Sequence, residues 1–228
     1  MAAPRLRHCQ RSVVKRVLRD NGLSLVMTAL FLVFLLGNSV AGWLHYNEEQ
    51  HAHGTPEVPW TTYVHSGEFA EAVFENWESE FLQMAAFVFL AAKLRQRGSP
   101  ESKEDGEEEN PERDKGPDSP GPVHRGGLAL KLYSHSLTLA LVALFLFSMA
   151  MHAVGGHSAH NEEAAAHGRP LESLLGYVTS STFWFESFQN WQSEFFSIAM
   201  LVVLSIFLRE KDSPESKPVR EPHSKTGR

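Results

Sequence analysis

Two short stretches of the sequence carry the same polar residues directly before an apolar run. FENWESEF, residues 74–81, recurs as FQNWQSEF, residues 188–195, and each copy keeps an asparagine, a tryptophan and a glutamate. A carboxylate placed in hydrocarbon costs at least about 2.5 kcal/mol on insertion scales, so it normally faces other protein groups and marks a candidate functional site. The predicted polar site therefore consists of Asn76, Glu80, Asn190 and Glu194.

The differences between the two copies narrow the choice of acidic residues. Glu75 and Glu78 are replaced by glutamine in the second copy, whereas Glu80 is kept as Glu194. The comparison favours this retained pair as the one whose charge is needed. A plainer interpretation stays open, in which both carboxylates lie at the outer interface and fix helix packing through hydrogen bonds. The tryptophans of the phrase are predicted to be interface aromatics, as is typical of membrane proteins: Trp77 and Trp191.

A second set of residues could bind a metal ion. Two Glu and His pairs stand four residues apart, one helical turn, so each pair can converge on one ligand. Helical di-iron and di-manganese proteins draw a similar set from four helices, although their Glu-x-x-His spacing is three. A histidine in the last turn of a helix also favours the helix dipole without any metal. The predicted ligands of Fe, Mn or Zn are Glu49, His53, Glu80, Glu163, His167 and Glu194; no other cofactor is expected.

An ungapped internal repeat contains all of these residues. Shifting the sequence by 114 positions aligns residues 21–103 with residues 135–217, and 35 of the 83 pairs are identical. The matches include SPESK at residues 99–103 and again at residues 213–217. Each copy must therefore be interpreted as one structural module.

Each module contains two hydrophobic segments. Residues 23–44 carry no charge over twenty-two positions, which is enough to cross about 30 Å of hydrocarbon. The second segment of each module, residues 81–94 and 195–208, has only fourteen residues, about 21 Å of helix. A span of full length must then start earlier and include the repeated polar phrase. The predicted fold is all-α and polytopic: four transmembrane helices in two tandem, parallel two-helix repeats, related by a pseudo-twofold axis along the membrane normal.

These segments divide the chain into five regions. A basic cytoplasmic tail covers residues 1–21 and a disordered acidic linker covers residues 98–127, because the linker is too polar and too rich in Pro and Gly to form a core. A disordered C-terminal tail follows from residue 212. The two repeats occupy residues 22–97 (TM1 about 23–44, extending to 53; TM2 about 75–94) and residues 128–211 (TM3 about 136–156, extending to 167; TM4 about 189–208).

The distribution of basic residues predicts the orientation. Lysine and arginine are concentrated in the first 21 residues and after the second and fourth spans, whereas residues 45–80 contain none. The positive-inside rule then places both termini in the cytoplasm and the two His-bearing loops outside. The predicted location is a bacterial inner (plasma) membrane with multiple passes, where the partner is the lipid bilayer and a homodimer is compatible with the helices.

Composition excludes several functional classes. The 228 residues carry a net charge of −6 and a single cysteine, Cys9, so intrachain disulfides and Cys-based metal sites are excluded. No phosphate-binding loop, nucleophile elbow or dinucleotide fingerprint is present. Nucleic-acid binding is not expected, because the one basic cluster is explained by membrane orientation. These absences count against an enzyme, although a metal-dependent enzyme or metal sensor facing the periplasm stays an alternative.

The motifs YNEEQ…HG.P, FENWESEFLQ, FQNWQSEF and SPESK together resemble a bacterial family of duplicated four-helix integral membrane proteins, catalogued only as a domain of unknown function. The resemblance covers nearly the whole chain except the linker and the N-terminal tail. It implies a bacterial inner-membrane protein and supplies no substrate or catalytic residue. Three functions stay open: a non-enzymatic helical bundle with an outward-facing Glu/Asn/His site, a small proton- or ion-coupled transporter, and a periplasm-facing metal-binding protein.

Overall fold

The computed structural model describes residues 17–102, 110–111 and 113–227, and it confirms the all-helical prediction. Within these residues there are eight helices with both ends described, a further helical stretch at residues 17–20, and no strand. Residues 1–16, with Cys9 and most of the basic tail, and residues 103–109 of the linker lie outside the described part. The helices are α1 (Gly22–Ala52), α2 (Trp60–Tyr63), α3 (Gly67–Ala91), α4 (Gly121–Arg125), α5 (Gly127–Ser134), α6 (Ser136–Ala166), α7 (Leu174–Val178) and α8 (Ser181–Phe207).

Three helices are long and apolar enough to cross a membrane, namely α1, α6 and α8. Only 6 % of the most apolar stretch of α1 and of α8 is buried within the protein, and 22 % of that of α6. Apolar surface of this extent on a soluble protein would be exposed to water, so it indicates contact with lipid. Helix α3 has 25 residues, about 37 Å, but its five glutamates keep it out of this group.

The chain divides into two compact units, residues 1–69 and residues 70–228. In the first unit, the loop after α1 folds back along the end of that helix. The Asn47 side chain donates to the carbonyl oxygen of Val58 at 3.1 Å and accepts from its N–H at 2.9 Å, and Trp43 Nε1 donates to the same carbonyl at 2.7 Å. Tyr63 is buried with its hydroxyl against Gly42, because only a residue without Cβ leaves room there.

In the second unit, the loop after α6 folds back in the same way. The Asn161 side chain donates to the carbonyl oxygen of Glu172 at 3.0 Å and accepts from its N–H at 2.8 Å, and His157 Nε2 lies 2.9 Å from that carbonyl. Tyr177 is buried with its hydroxyl against Gly156. Each of these contacts lies 114 residues after its counterpart in the first unit.

The helix ends follow local chemistry. The hydroxyls of Ser66 and Ser180 each accept a hydrogen bond from the backbone N–H three residues on, at 3.2 and 3.3 Å, which satisfies one N–H of the first turn. Helices α1 and α6 end before Gly54 and Gly168, whose φ angles of +71° and +64° favour glycine. Because of these caps, α3 and α8 start eight residues before the predicted TM2 and TM4, at Gly67 and Ser181.

The C-terminal segment, residues 212–227, is built from turns and contains no helix or strand. Lys217 is buried, and its Nζ donates to the carbonyl oxygens of Pro222, His223 and Lys225 at 3.4, 3.0 and 3.0 Å. Burial lowers the pKa of the Lys217 ammonium group. The backbone N–H of Gly227 donates to the carbonyl of Ser99 at 3.0 Å, so this segment contacts the turn that follows α3.

Candidate functional site

The second unit contains a cluster of ionisable side chains, here called the acidic centre: Glu71, Glu75 and Glu78 of α3, His152 of α6 and Glu186 of α8. The three glutamates of α3 stand at spacings of four and three, so they share one face of the helix. Helix α7 adds Tyr177 to this cluster. Four carboxylates therefore surround one imidazole.

His152 and Glu78 form the buried core of the acidic centre. Both side chains have no exposed area, and Nδ1 of His152 lies 2.8 Å from Oε2 of Glu78. Trp191 Nε1 donates to the other carboxylate oxygen at 2.9 Å, and Phe183 stacks on the imidazole with a centroid separation of 4.8 Å. Because an ionised carboxylate only accepts, Nδ1 carries the hydrogen; when the ring is neutral, the lone pair of Nε2 lies on its other side.

The Nε2 atom of His152 points toward the half-buried carboxylates. It lies 3.7 Å from Oε2 of Glu186, which is longer than a hydrogen bond, and it is buried without a hydrogen-bond partner in the described structure. Single ligand atoms of Glu71, His152 and Glu186 all lie within 4.8 Å of one another. These three side chains could hold a metal ion.

The Tyr177 hydroxyl bridges two carboxylates of the acidic centre. It lies 3.2 Å from Oε1 of Glu71 and 3.1 Å from Oε2 of Glu186. A phenol has one hydrogen to donate, so it can satisfy only one of these acceptors at a time. Burial of the ring, followed by the charges of Glu71 and Glu186, raises the pKa of Tyr177 well above its ordinary value. The hydroxyl therefore stays protonated.

Two glycines of α6 allow this close approach. A Cβ on Gly155 would lie 2.8 Å from the backbone nitrogen of Glu71 and 2.9 Å from the Cβ of Ala70. A Cβ on Gly156 would lie 2.7 Å from Oε1 of Glu71 and would overlap the hydroxyl of Tyr177. Both glycines are buried. The absence of side chains at these positions allows α6 to pack against α3 and leaves room for the carboxylate of Glu71.

The acidic centre contains more acidic than basic side chains. Asn190 donates to Glu75, which is within electrostatic range of His152, Glu186 and Glu78. Helices α3, α6, α7 and α8 contain no lysine or arginine, and His152 is the one basic side chain among the residues that define the acidic centre. A fully charged imidazole would still leave three of the four carboxylates uncompensated.

The predicted polar site occupies a neighbouring part of α3 and α8. Asn76 and Glu80 are exposed, and Asn76 donates to the carbonyl of Ala72 in its own helix at 2.8 Å. Glu194 is half-buried and within electrostatic range of Glu80. Asn190 is the member of this set that contacts the acidic centre. Of the predicted interface aromatics, Trp191 bonds Glu78, while Trp77 packs edge-on against Phe74 at 5.2 Å.

The predicted metal ligands at the ends of α1 and α6 have other contacts. In the first unit, Glu49 lies 3.6 Å from Nε2 of His45, and His53 is the C-cap residue of α1. In the second unit, the carboxylate of Glu163 accepts from Arg169 at 2.6 Å, and Nδ1 of His167 lies 2.9 Å from the backbone carbonyl of Glu163. The metal prediction for these residues stays a prediction.

A comparison of the two sequence copies does not identify most residues of the acidic centre. Glu71, Glu75, Glu78, His152 and Glu186 have no identical residue 114 positions away, so a search for retained residues discards them. Two signals in the sequence were available. One is the regular spacing of three glutamates on a helix that ends in an apolar run; the other is a histidine in the apolar helix α6.

A family model described as "Domain of unknown function (DUF6766)" matches residues 14–228. The chain belongs to this family. The match includes all residues of the acidic centre and of the predicted polar site. Among curated proteins and among solved structures, no match to the chain was found.

Proposed function

We propose that this DUF6766 protein is a multi-pass membrane protein that binds a cation in its acidic centre. In this proposal the protein is a binding module and not an enzyme, and the bound cation is either a proton or a metal ion. The four long helices α1, α3, α6 and α8 cross a bacterial inner membrane as two tandem two-helix repeats, α1 with α3 and α6 with α8. A homodimer stays a prediction that depends on the exposed apolar faces.

Repeated contacts support the tandem architecture. The Asn47–Val58 and Asn161–Glu172 clamps, the two buried tyrosines against glycine and the two serine caps all recur at the offset of 114 residues that relates the sequence copies. By the same offset α3 corresponds to α8, which is one of the three membrane-crossing candidates. Three of its five glutamates face the acidic centre and not the lipid, which would allow α3 to be a further span.

The single observation that carries the function is the charge of the acidic centre. A carboxylate removed from water is costly unless it is paired, and a group with excess charge is normally neutralised by binding a cation. Here four carboxylates share one imidazole, and Tyr177 can donate to only one of the two acceptors that it touches. A cation between Glu71, Glu186 and His152 would offset part of the negative charge. It would also interact with both of the carboxylates that share the single Tyr177 hydrogen.

The distribution of lysine and arginine supports an outward-facing centre. The centre includes Tyr177, which follows the loop after α6, and this loop is predicted to be outside by the positive-inside rule. The half-exposed members of the centre would then meet the periplasmic solution. Cytoplasmic termini follow from the same rule.

A thermal unfolding screen tests this function. The full chain in nanodiscs is stripped of metals and heated in Na⁺, K⁺, Mg²⁺, Ca²⁺, Mn²⁺ or Zn²⁺ and over a range of pH. At least one cation or acidification is expected to raise the melting temperature, because a ligand that binds only the native state stabilises it. The response is expected to vanish in the Glu71→Gln/Glu186→Gln double variant.

The matched control is the Glu80→Gln/Glu194→Gln double variant, which removes the same charge from the predicted polar site. It should keep the wild-type response. A response lost in the control and kept in the test variant would move the cation site to the repeated phrase and contradict the proposal. A wild-type protein that responds to no cation and no pH change would also contradict it.

Ion-coupled transport is a second candidate function. The observation that favours it is the graded exposure along the contacts of the centre, from Glu78 and His152 with no exposed area to Glu186 with 26 %. Chains of Glu and His with this gradation serve as proton relays in membrane transporters. Proteoliposomes that show cation flux driven by a pH gradient, abolished by Glu186→Gln, would support transport; tight binding without flux would support binding alone.

A further inference from the structure

We infer that Glu71, Glu186 and the Nε2 atom of His152 bind one divalent transition-metal ion. This inference deepens the proposed function and rests on it, since it names the cation and its ligands. The site differs from the predicted Glu/His set at the ends of α1 and α6. All three ligands belong to the second unit and come from three different helices, α3, α6 and α8.

The imidazole of His152 is held in one orientation. Glu78 holds Nδ1 at 2.8 Å while Phe183 fixes the ring plane, so Nε2 can point in one direction only. Metal-binding histidines almost always donate their other ring N–H to a carboxylate or carbonyl, which fixes the tautomer and makes the ligand nitrogen more basic. The Glu78–His152 pair has this arrangement. Glu78 is thus a positioning residue and not a ligand.

The Nε2 atom of His152 has an ionic neighbour in the described structure, Oε2 of Glu186 at 3.7 Å, and no hydrogen bond. The His152 side chain has no exposed area, and within the described residues its Nε2 has no hydrogen-bond partner. Buried polar atoms are normally satisfied, so a specific exception calls for an explanation. A metal ion bound between Nε2 and the carboxylates of Glu71 and Glu186 would satisfy this atom.

The candidate ligand atoms are separated by distances close to those found around a metal ion. A tetrahedral ion with bonds of about 2.1 Å keeps its donor atoms about 3.4 Å apart. Nε2 of His152 and Oε2 of Glu186 are 3.7 Å apart, and the whole set of ligand atoms lies within 4.8 Å. Small rotations of the half-buried glutamates would close this difference. Tyr177, which contacts both carboxylates, would orient them as an outer partner.

The donor set indicates the class of metal. Imidazole favours Zn²⁺, Fe²⁺, Ni²⁺ and Cu²⁺ over Mg²⁺ and Ca²⁺, while two carboxylates favour harder ions such as Mn²⁺. One nitrogen and two carboxylates are therefore suited to Zn²⁺, Mn²⁺ or Fe²⁺. Ca²⁺ is disfavoured, since it takes six to eight oxygen ligands.

Metal analysis of the purified full chain tests the inference. The protein is stripped with chelator in nanodiscs, incubated with Zn²⁺ or Mn²⁺, desalted, and analysed by mass spectrometry for bound metal. We expect about one equivalent in the wild type and less than about 0.2 equivalents in Glu71→Gln and in Glu186→Gln, because ligand loss removes most of the binding energy. The Glu80→Gln/Glu194→Gln control should keep about one equivalent.

The positioning role of Glu78 has its own readout. Glu78→Gln should still bind one equivalent at saturating metal, but with an affinity about 10- to 100-fold weaker, as is typical for loss of an outer-shell partner. Glu78→Asp should recover part of that affinity. An unchanged affinity in Glu78→Gln would contradict the assignment of Nδ1.

The outcomes separate this inference from the proposed function. Less than about 0.2 equivalents of metal on the wild type, together with a melting temperature that still responds to acid or to Na⁺ through Glu71 and Glu186, would overturn the metal inference alone. If the wild type bound no metal and its melting temperature responded to neither acid nor any cation, the proposed function would be overturned as well. Metal binding that survives Glu71→Gln and Glu186→Gln and disappears in the Glu80→Gln/Glu194→Gln control would place the ion at the repeated phrase.

Discussion

Nδ1 of His152 lies 2.8 Å from Oε2 of Glu78, and neither side chain has any exposed area. This contact connects α6 to α3 at the most deeply buried point of the acidic centre. Trp191 of α8 donates to the second oxygen of the same carboxylate, so three helices meet at Glu78. The packing of the second unit therefore depends on a charged residue that its sequence copy replaces by Gln192.

Truncation of Glu78 should destabilise the protein strongly. Glu78→Ala leaves two buried donors, His152 Nδ1 and Trp191 Nε1, without an acceptor, and breaking a buried pair from one side typically costs about 3–5 kcal/mol. Glu78→Gln keeps one acceptor oxygen and should cost less. Unfolding by SDS, followed by tryptophan fluorescence, measures the difference. Glu80→Ala on the exposed side of α3 is the control and should change the free energy of unfolding by at most about 0.5 kcal/mol.

Alanine substitution of the two equivalent glycines should distinguish an effect on packing from an effect on cation binding. Gly42→Ala and Gly156→Ala each place a Cβ against a buried tyrosine hydroxyl, and overpacking of this kind costs about 1–3 kcal/mol. Only Gly156→Ala also displaces the Glu71 carboxylate. Both variants should melt earlier than the wild type, while only Gly156→Ala should weaken the stabilisation by cation. An equal loss of cation response in Gly42→Ala would contradict the location of the site.

The two buried tyrosines should lose their protons at a higher pH than an exposed tyrosine does. Burial and the neighbouring carboxylates raise the pKa of Tyr177, and burial and Glu68 raise that of Tyr63, above the ordinary value of 10.0. The native state therefore holds these protons longer than the unfolded state, so stability is unaffected below pH 10 and falls as the pH rises above it. Ultraviolet absorbance should lose its latest-titrating component in Tyr177→Phe. An ordinary titration of Tyr177 would contradict its buried position.

Cysteine labelling should report the predicted topology. In a Cys9→Ser background, Thr55→Cys and Leu171→Cys place a thiol in the loops after α1 and α6, and Asp118→Cys places one in the linker. The positive-inside rule predicts that an impermeant maleimide labels the first two in intact cells and the third only after lysis. Labelling of Asp118→Cys in intact cells would contradict four spans with an internal linker.

The sequence was sufficient to predict the helices, because apolar length and capping residues act locally. The uncharged run of residues 23–44 predicts the apolar part of α1, and Gly54 and Gly168 stand where α1 and α6 end. The predicted TM2, which lies in α3, is not among the three apolar candidates, since five glutamates lower the apolarity of this helix. Hydropathy measures composition and does not show which face of a helix is buried.

The acidic centre was harder to predict, for a physical reason. Retained residues such as Tyr177, Asn161 and Gly156 mark contacts that both copies need in order to fold. Glu71 corresponds to Phe185, and Glu186 to Ala72, so the centre is built from positions at which the copies differ. A site whose residues differ between two similar halves of the sequence requires such differences, and only a structure shows that these residues come together.

The free energy of unfolding of Glu186→Gln in cation-free, metal-chelated buffer tests the central claim most directly. If the acidic centre carries excess negative charge that a cation must balance, removal of one charge should leave stability unchanged or raise it, and added Zn²⁺ or Mn²⁺ should then stabilise the wild type alone. A variant less stable than the wild type by more than about 1 kcal/mol in the cation-free buffer, together with a wild type that added cation does not stabilise, would show that Glu186 serves only as a hydrogen-bond partner for Tyr177 and would contradict the account.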